Sequence, residues 1–225
     1  MEQAVKKDKK TFTAVLRERF KGILDPLARV LNGIGLMPNT VTILGLVGNT
    51  VGAYLLATGH ITWGGIIILV MGPIDALDGT MARLRGEPSR FGAFVDSVTD
   101  RYSELVIFAG LLIYYLTQAN WLGAGLAYFA AAGSVLVSYI KSRAQTLGFD
   151  CETGILTRAE RYLVLAPLLV VNLPTIALWI IAILANFTAL QRILYVRAQA
   201  RAPMAKGESH KSPEPPAPPE SASRG

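Results

Sequence analysis

The stretch DALDGTMARLRGEPSRFGAFVDSVTD, residues 75–100, decides the fold, because it places four aspartates at the ends of two long apolar runs. One apolar run leads into Asp75 and Asp78, and the other follows Asp96 and Asp100. An ionised carboxylate near the interior of a bilayer costs roughly 3 kcal/mol or more, so such residues are functional by default. The four together predict a functional site inside a bundle of membrane helices.

The spacing of the aspartates predicts that they share this site. Asp75 and Asp78 are three residues apart, and Asp96 and Asp100 are four apart, so each pair lies on one face of its helix. At about 1.5 Å of rise per residue, the two pairs lie at similar depth on either side of the 84–90 loop. The residues leave one alternative open, in which the acids pair with neighbouring arginines: Arg83, Arg85, Arg90 and Arg101.

The charge of the four carboxylates predicts a metal site. Facing carboxylates repel one another strongly unless cations lie between them. Two divalent ions would neutralise the four charges, and oxygen ligands favour hard ions over zinc. We therefore expect two Mg²⁺ ions as cofactors, for which Mn²⁺ can substitute.

Composition and hydropathy predict an all-α, polytopic membrane protein. The chain has 225 residues, of which 52% are hydrophobic, and its mean hydropathy is +0.39. These values are too apolar for an ordinary soluble domain. A single cysteine allows no intramolecular disulfide and therefore no secretory disulfide framework. Apolar runs of membrane-spanning length predict six transmembrane helices: Asn39–Thr58, Ile61–Arg83, Phe91–Leu116, Trp121–Arg143, Arg158–Val171 and Pro174–Val196.

Basic residues predict the orientation of these helices. Lys and Arg collect at the two ends of the chain and in the 83–90 and 141–161 segments, and they are missing from the three short connectors between spans. By the positive-inside rule, both termini and the aspartates lie on the cytoplasmic side of the cell membrane. Nucleic acid is not an expected partner, because the bases are scattered along membrane edges and not gathered on one surface.

The ends of the chain differ from the six spans. Phe12, Leu16 and Phe20 recur at helical spacing with basic residues between them, which predicts a juxtamembrane amphipathic helix on the cytoplasmic surface. A helix packed on the domain fits the same pattern equally well. The proline-rich C-terminal tail is typical of disorder. The sequence is thus divided into a cytoplasmic N-terminus (1–37), a six-helix catalytic domain (38–201) and a disordered cytoplasmic tail (202–225).

Residues 75–100 match the pattern D-x2-D-G-x2-A-R-x8-G-x3-D-x3-D at every fixed position. The chain therefore resembles the CDP-alcohol phosphotransferases. The resemblance implies that Asp75, Asp78 and Asp96 bind the metals, and that Asp100 binds one metal and acts as general base on an acceptor hydroxyl. It also implies that the metals polarise the diphosphate and stabilise the leaving CMP. The residues that would hold the CDP-lipid donor are Asn39, Thr42, Gly79, Arg83 and Ser89.

Basic residues in the second half of the chain concern the acceptor. Clustered Lys and Arg suit a doubly charged phosphate, which favours a phosphorylated alcohol over serine or free inositol. The SYIKSR stretch at 138–143 resembles that of the phosphatidylinositol phosphate synthases and their archaeal relatives, which implies inositol phosphate as the acceptor. Otherwise these bases only obey the positive-inside rule or touch lipid headgroups. The expected phosphate ligands are Ser138, Lys141, Arg143, Arg158, Arg161 and Arg192.

Several alternatives remain open from the residues. The acceptor could be glycerol 3-phosphate, or the donor CDP-inositol. A different class, a cation or proton transporter, would also use intramembrane carboxylates. Glu104 is expected to form a salt bridge with a neighbouring base. A homodimer is expected from the family, and the small residues Gly123, Gly125 and Gly133 would permit close helix contacts.

Overall fold

The structure is a computed structural model that describes residues 12–86 and 89–205, and over these ranges the regular secondary structure is entirely helical. The all-α class is therefore confirmed. The helices are α1 (Phe12–Gly33), α2 (Pro38–Ala57), α3 (Ile61–Arg85), α4 (Arg90–Thr117), α5 (Trp121–Thr146), α6 (Arg158–Val170) and α7 (Pro174–Ala205).

Helices α2 to α7 coincide with the six predicted spans to within a few residues at most ends. Four helices in the described ranges, α2, α3, α5 and α7, are long and apolar enough to cross a membrane. Helix α4 carries the charged residues of the candidate site in its first half. Helix α6 has 13 residues and is therefore about 20 Å long, against a hydrocarbon core of about 30 Å. Six spans thus stays a prediction.

The ends of the two aspartate helices follow from local chemistry. Helix α3 stops at Gly86, whose φ of 70° lies in the left-handed region that a glycine adopts without a Cβ penalty. Helix α4 starts after Ser89, whose Oγ accepts a hydrogen bond of 2.8 Å from the backbone N–H of Gly92. A short connection therefore joins the two helices and keeps their charged ends together.

Helix α2 holds the aspartate helices in place, because it packs against both α3 and α4. The contacts are close. A Cβ added to Gly110 of α4 would lie 2.4 Å from the carbonyl oxygen of Ala53, and one added to Gly64 of α3 would lie 2.8 Å from that of Gly52. Helix α6 packs against α3 and α7, while α5 packs against α4 and α7. The main core of buried apolar residues lies among these helices.

Helix α1 packs on α3 through its second half. Leu24 and Ala28 are buried together with Val41, Leu77 and Met81. This contact fits the alternative of a helix packed on the domain, whereas the amphipathic pattern at 12–20 rests on side chains outside those described. The predicted tail also lies outside the described residues beyond 205, and α7 continues helically as far as Ala205.

Candidate active site

The four aspartates lie in the last turns of α3 and the first turns of α4. The charges of Asp75 and Asp96 act on both Asp78 and Asp100, so the four carboxylates share one region. Asp78 and Asp100 are each 6% exposed. Helices α3 and α4 pack chiefly on α2 and not on each other. The short connection between α3 and α4 and the packing of both helices on α2 therefore bring their charged ends together.

Asp78 is held from two sides. Its Oδ2 accepts a hydrogen bond of 2.5 Å from the hydroxyl of Thr42 on α2, and its Oδ1 accepts one of 2.5 Å from the backbone N–H of Gly79. Thr42 itself is buried. These two donors fix the direction of the carboxylate, as hydrogen bonds around metal-ligating carboxylates do.

Arg158, the first residue of α6, reaches both aspartate helices. Its Nη2 hydrogen-bonds Oδ2 of Asp75 and lies 2.5 Å from Oδ1 of Asp100. Arg101 lies farther away, at 3.6 Å from Asp100. Among the arginines near the acids in sequence, Arg85 donates instead to Oδ1 of Asn32 and to the carbonyl of Leu36, between α1 and α2. The guanidinium of Arg158, from a helix distant in sequence, therefore lies among the carboxylates.

The carboxylates fit a hard divalent cation. Oδ1 of Asp75 and Oδ1 of Asp100 are buried without a hydrogen-bond partner, although the Asp100 oxygen lies at ion-pair distance from Arg158. A buried orphaned carboxylate oxygen is suited to a cation. In the ranges that the structure describes, no three acidic, histidine or cysteine side chains converge on one point. The guanidinium of Arg158 lies between Asp75 and Asp100.

The residues expected to hold the donor cluster beside this site. Gly79 has open space on the side where a Cβ would lie. Arg83 is exposed and donates a hydrogen bond of 3.0 Å to Thr80. Asn39 and Ser89 approach each other across Gly92, where an added Cβ would lie 3.6 Å from Oδ1 of Asn39 and 2.9 Å from Oγ of Ser89. The starts of α2 and α4 therefore meet next to the aspartates.

A family model described as CDP-alcohol phosphatidyltransferase matches residues 35–194, which include every candidate site residue. The chain belongs to the CDP-alcohol phosphatidyltransferase family. The family predicted from residues 75–100 is therefore confirmed.

Known members of the family are similar along most of the chain. The phosphatidylinositol phosphate synthase of Mycobacteroides abscessus is 35% identical over 192 residues, which cover 80% of this chain and 86% of that protein. A crystal structure of the Mycobacterium tuberculosis phosphatidylinositol phosphate synthase with CDP-DAG bound has a TM-score of 0.72 at 31% identity, and the match covers 77% of this chain and 93% of the other. The same enzyme in complex with manganese and citrate gives a TM-score of 0.73 at 31% identity, covering 77% and 88%.

The expected acceptor ligands of this phosphatidyltransferase divide into two groups. Ser138, Lys141 and Arg143 lie near the end of α5, where the first two are half-buried and Arg143 is exposed. Arg161 and Arg192, by contrast, are 2% and 3% exposed. The second group has partners within the chain, so sequence reasoning missed a structural role for it.

Arg161 pairs with Glu104. Its Nε and Nη2 donate to the two carboxylate oxygens of Glu104 at 2.6 and 3.1 Å, and its Nη1 donates to the carbonyl of Leu156. The salt bridge expected for Glu104 is therefore confirmed, and its partner is Arg161. This pair ties α6 to α4 next to Asp100.

Arg192 holds the segment between α5 and α6, residues 147–157. It donates to the carbonyl of Thr153 at 2.8 Å and to that of Val137 at 2.5 Å. Burial raises the pKa of the Cys151 thiol in this segment, and the charges of Arg192 and Lys141 oppose that rise. Lys141 therefore lies beside the segment that leads to Arg158.

Proposed function

We propose that this phosphatidyltransferase moves a phosphatidyl group from a CDP-activated lipid to a hydroxyl of inositol phosphate and releases CMP. The observation that carries the proposal is the group of four carboxylates shared between α3 and α4, set beside the residues expected to hold CDP. Relatives of the chain are phosphatidylinositol phosphate synthases, one of which has CDP-DAG bound, and both facts support the same donor and acceptor.

The four aspartates would hold two Mg²⁺ ions, with Mn²⁺ as a substitute. Manganese in the solved relative supports a divalent cation, and the orphaned oxygens of Asp75 and Asp100 are suited ligands. Bound ions would polarise the phosphoryl oxygens and stabilise the leaving CMP. Thr42 and Gly79 would keep Asp78 oriented throughout the reaction.

Asp100 would act as the general base. The acceptor oxygen forms a bond to the phosphorus that carries the lipid, the bond from that phosphorus to CMP breaks, and the hydroxyl proton passes to a carboxylate oxygen of Asp100. The burial of Asp100 within a group of charged residues excludes water from the proton transfer. Positioning and charge stabilisation supply most of the rate.

The phosphate of the acceptor would be bound by the bases near α5 and α6. Arg158 contacts the aspartates directly, whereas Lys141 and Arg143 lie at the end of α5, with Ser138 one turn before Lys141. Arg161 and Arg192 stay in the proposed set, and their partners within the chain make them supports of the acceptor site as well. A phosphorylated acceptor other than inositol phosphate, such as glycerol 3-phosphate, would use the same bases.

We further propose a multi-pass protein of the cell membrane with six spans, whose termini and active site face the cytoplasm, and which forms a homodimer. Lys and Arg placement supports the orientation. Among the small residues considered for a dimer, Gly123 and Gly133 meet Tyr115 and Asn186 of the same chain, whereas Gly125 has open space around it. Helix α5 at Gly125 is therefore the more suitable place for a contact between subunits.

An acceptor panel tests the function. Purified protein in detergent micelles is incubated with CDP-diacylglycerol, Mg²⁺ and, separately, inositol phosphate, glycerol 3-phosphate, inositol or serine, and both CMP and the lipid product are measured. We expect CMP release and a new phospholipid with inositol phosphate. If a lipid product formed only with glycerol 3-phosphate, that alcohol would replace inositol phosphate as the proposed acceptor. If CMP were released but none of the four alcohols gave a lipid product, the proposed use of the CDP-lipid donor would stand and the acceptor would lie outside the panel. If no CMP were released at all, the transporter class would be favoured.

A further inference from the structure

Tyr162 of α6 makes an unusual contact with the backbone of α3. Its hydroxyl donates to the carbonyl of Ile68 at 2.5 Å and accepts from the N–H of Gly72 at 2.9 Å. These two backbone groups are four residues apart, and an unbroken α-helix joins such a pair directly. The hydroxyl therefore contacts both the donor and the acceptor of one i to i+4 backbone pair of α3. It does so from a residue 90 positions away in sequence.

The next backbone hydrogen bond of α3, from residue 73 to Leu69, cannot form. Pro73 has no backbone N–H, so the carbonyl of Leu69 lacks its usual donor. Within a membrane, a helix tolerates such a proline when neighbouring groups satisfy the backbone around it. The Leu69 carbonyl therefore lacks its usual donor shortly before Asp75, and Tyr162 contacts the backbone pair immediately before it, Ile68 and Gly72.

The packing between α3 and α6 holds the tyrosine in this place. A Cβ added to Gly72 would lie 2.2 Å from Cζ of Tyr162, and one added to Gly65 would lie 2.7 Å from the backbone of Leu169. The two glycines and the two α6 residues are each seven apart and run in opposite directions. The helices are therefore in close antiparallel contact for two turns, and the contact continues to Arg158 at Asp75.

From this geometry we infer that Tyr162 is a positioning residue of the active site. Its hydroxyl holds the part of α3 around Pro73 in one conformation, and so sets the positions of Asp75 and Asp78 relative to Asp96 and Asp100. The effect acts on metal binding, since two of the four carboxylates follow directly from this part of the helix. The inference rests on the proposed metal-dependent function and goes beyond it by adding a residue that touches neither metal nor substrate.

Mn²⁺ binding to the substrate-free protein tests the inference. Purified wild-type protein and Tyr162→Phe, which removes only the hydroxyl, are titrated with Mn²⁺ in detergent micelles while free Mn²⁺ is measured by electron paramagnetic resonance. We expect the dissociation constant to rise roughly tenfold in Tyr162→Phe, a typical effect for a group that orients metal ligands from behind. The Mg²⁺ concentration needed for half-maximal kcat should rise in parallel, while the KM for the CDP-lipid at saturating Mg²⁺ stays unchanged.

Tyr115→Phe is the matched control. The Tyr115 hydroxyl is also partly buried and hydrogen-bonded, at 2.7 Å to Thr175, but it lies near the opposite ends of its helices. Both variants should lose similar thermal stability, and only Tyr162→Phe should lose metal affinity. Equal Mn²⁺ affinity in Tyr162→Phe and the wild type would overturn the inference.

A second variant covers the case in which Tyr162→Phe does not fold. Gly72→Ala keeps the hydroxyl but displaces it, and Gly22→Ala, in open space on α1, is its control. Weakened Mn²⁺ binding in Gly72→Ala alone supports the positioning role, and unchanged binding contradicts it. Absence of Mn²⁺ binding by the wild-type protein would instead remove the proposed metal chemistry, and the inference with it.

Discussion

The aspartate region of α3 and α4 differs from the basic region of α5 to α7 in the hydrogen-bond partners of its buried charged groups. Asp75 and Asp100 keep buried oxygens without hydrogen-bond partners, whereas Arg161 and Arg192 are buried with carboxylate or carbonyl partners. A buried charge that lacks a full set of partners is available to a ligand, and one with a full set holds the fold. The comparison therefore supports the proposal that the acids bind a ligand, and it favours a role in holding the fold for Arg161 and Arg192.

The largest expected effect lies in the aspartate region. Asp100→Asn removes both a metal ligand and the proposed proton acceptor, so kcat should fall by roughly 10³-fold or more. Single-turnover measurement of CMP release checks this. The thermal unfolding transition should persist, because the amide still fits the buried position. If Asp100→Asn kept a kcat near that of the wild type, Asp100 would not be the general base. The aspartate and basic regions would then not differ in function as proposed.

The next effect concerns the Glu104–Arg161 pair. Arg161→Leu leaves the carboxylate of Glu104 without its partner, and breaking such a buried pair costs about 3 kcal/mol or more. Thermal unfolding in detergent should show a clear loss of stability. The double variant Glu104→Leu with Arg161→Leu should recover much of it, since no lone charge remains.

A different result for Arg161 would contradict the assignment of this residue to the fold. If Arg161→Leu kept its stability and only raised the KM for inositol phosphate, the residue would belong to the acceptor site alone. Loss of both stability and acceptor binding in the single variant, with only stability recovered in the double variant, would show that one guanidinium serves the fold and the acceptor together.

The two regions also differ in how far sequence alone predicts them. The spacing of Asp75 and Asp78 fixes a common helix face, so the pairing of the aspartates on each helix follows from local geometry. Arg161 meets Glu104 from 57 residues away, and no local pattern encodes such a partner. Tyr162 likewise resembles any aromatic core residue in an apolar helix, and its role depends on how α6 crosses α3.

The span count shows a related limit. Hydropathy identified α4 and α6 as spans, but charges at the start of α4 and the 13-residue length of α6 take both outside the ordinary criteria for a membrane helix. Both helices carry residues of the proposed active site. The departures from a regular span therefore lie where the site requires polar groups.

A smaller effect is expected where α2 supports Asp78. Thr42→Val removes the hydroxyl that donates to Oδ2 at 2.5 Å. A hydrogen bond to a charged group contributes about 1.5–3 kcal/mol, so Mn²⁺ affinity should fall by roughly tenfold or more. Thr50→Val is the control, because its hydroxyl bonds only the carbonyl of Leu46 on the exposed side of the same helix. Equal affinities in the two variants would show that Asp78 needs no support from α2.

The smallest effect is expected at Lys141, which is half-buried at the end of α5 and lies beside the segment leading to Arg158. Lys141→Ala should raise the KM for inositol phosphate by about five- to tenfold, the order expected for one charge-assisted hydrogen bond, and leave the KM for the CDP-lipid unchanged. Arg197→Ala, an exposed base farther along α7, should change neither constant. If both variants weakened acceptor binding equally, the bases of α5 to α7 would act as a diffuse positive field. An effect confined to Lys141 would instead mean that the basic region, like the aspartate region, contains individual ligands among residues that hold the fold.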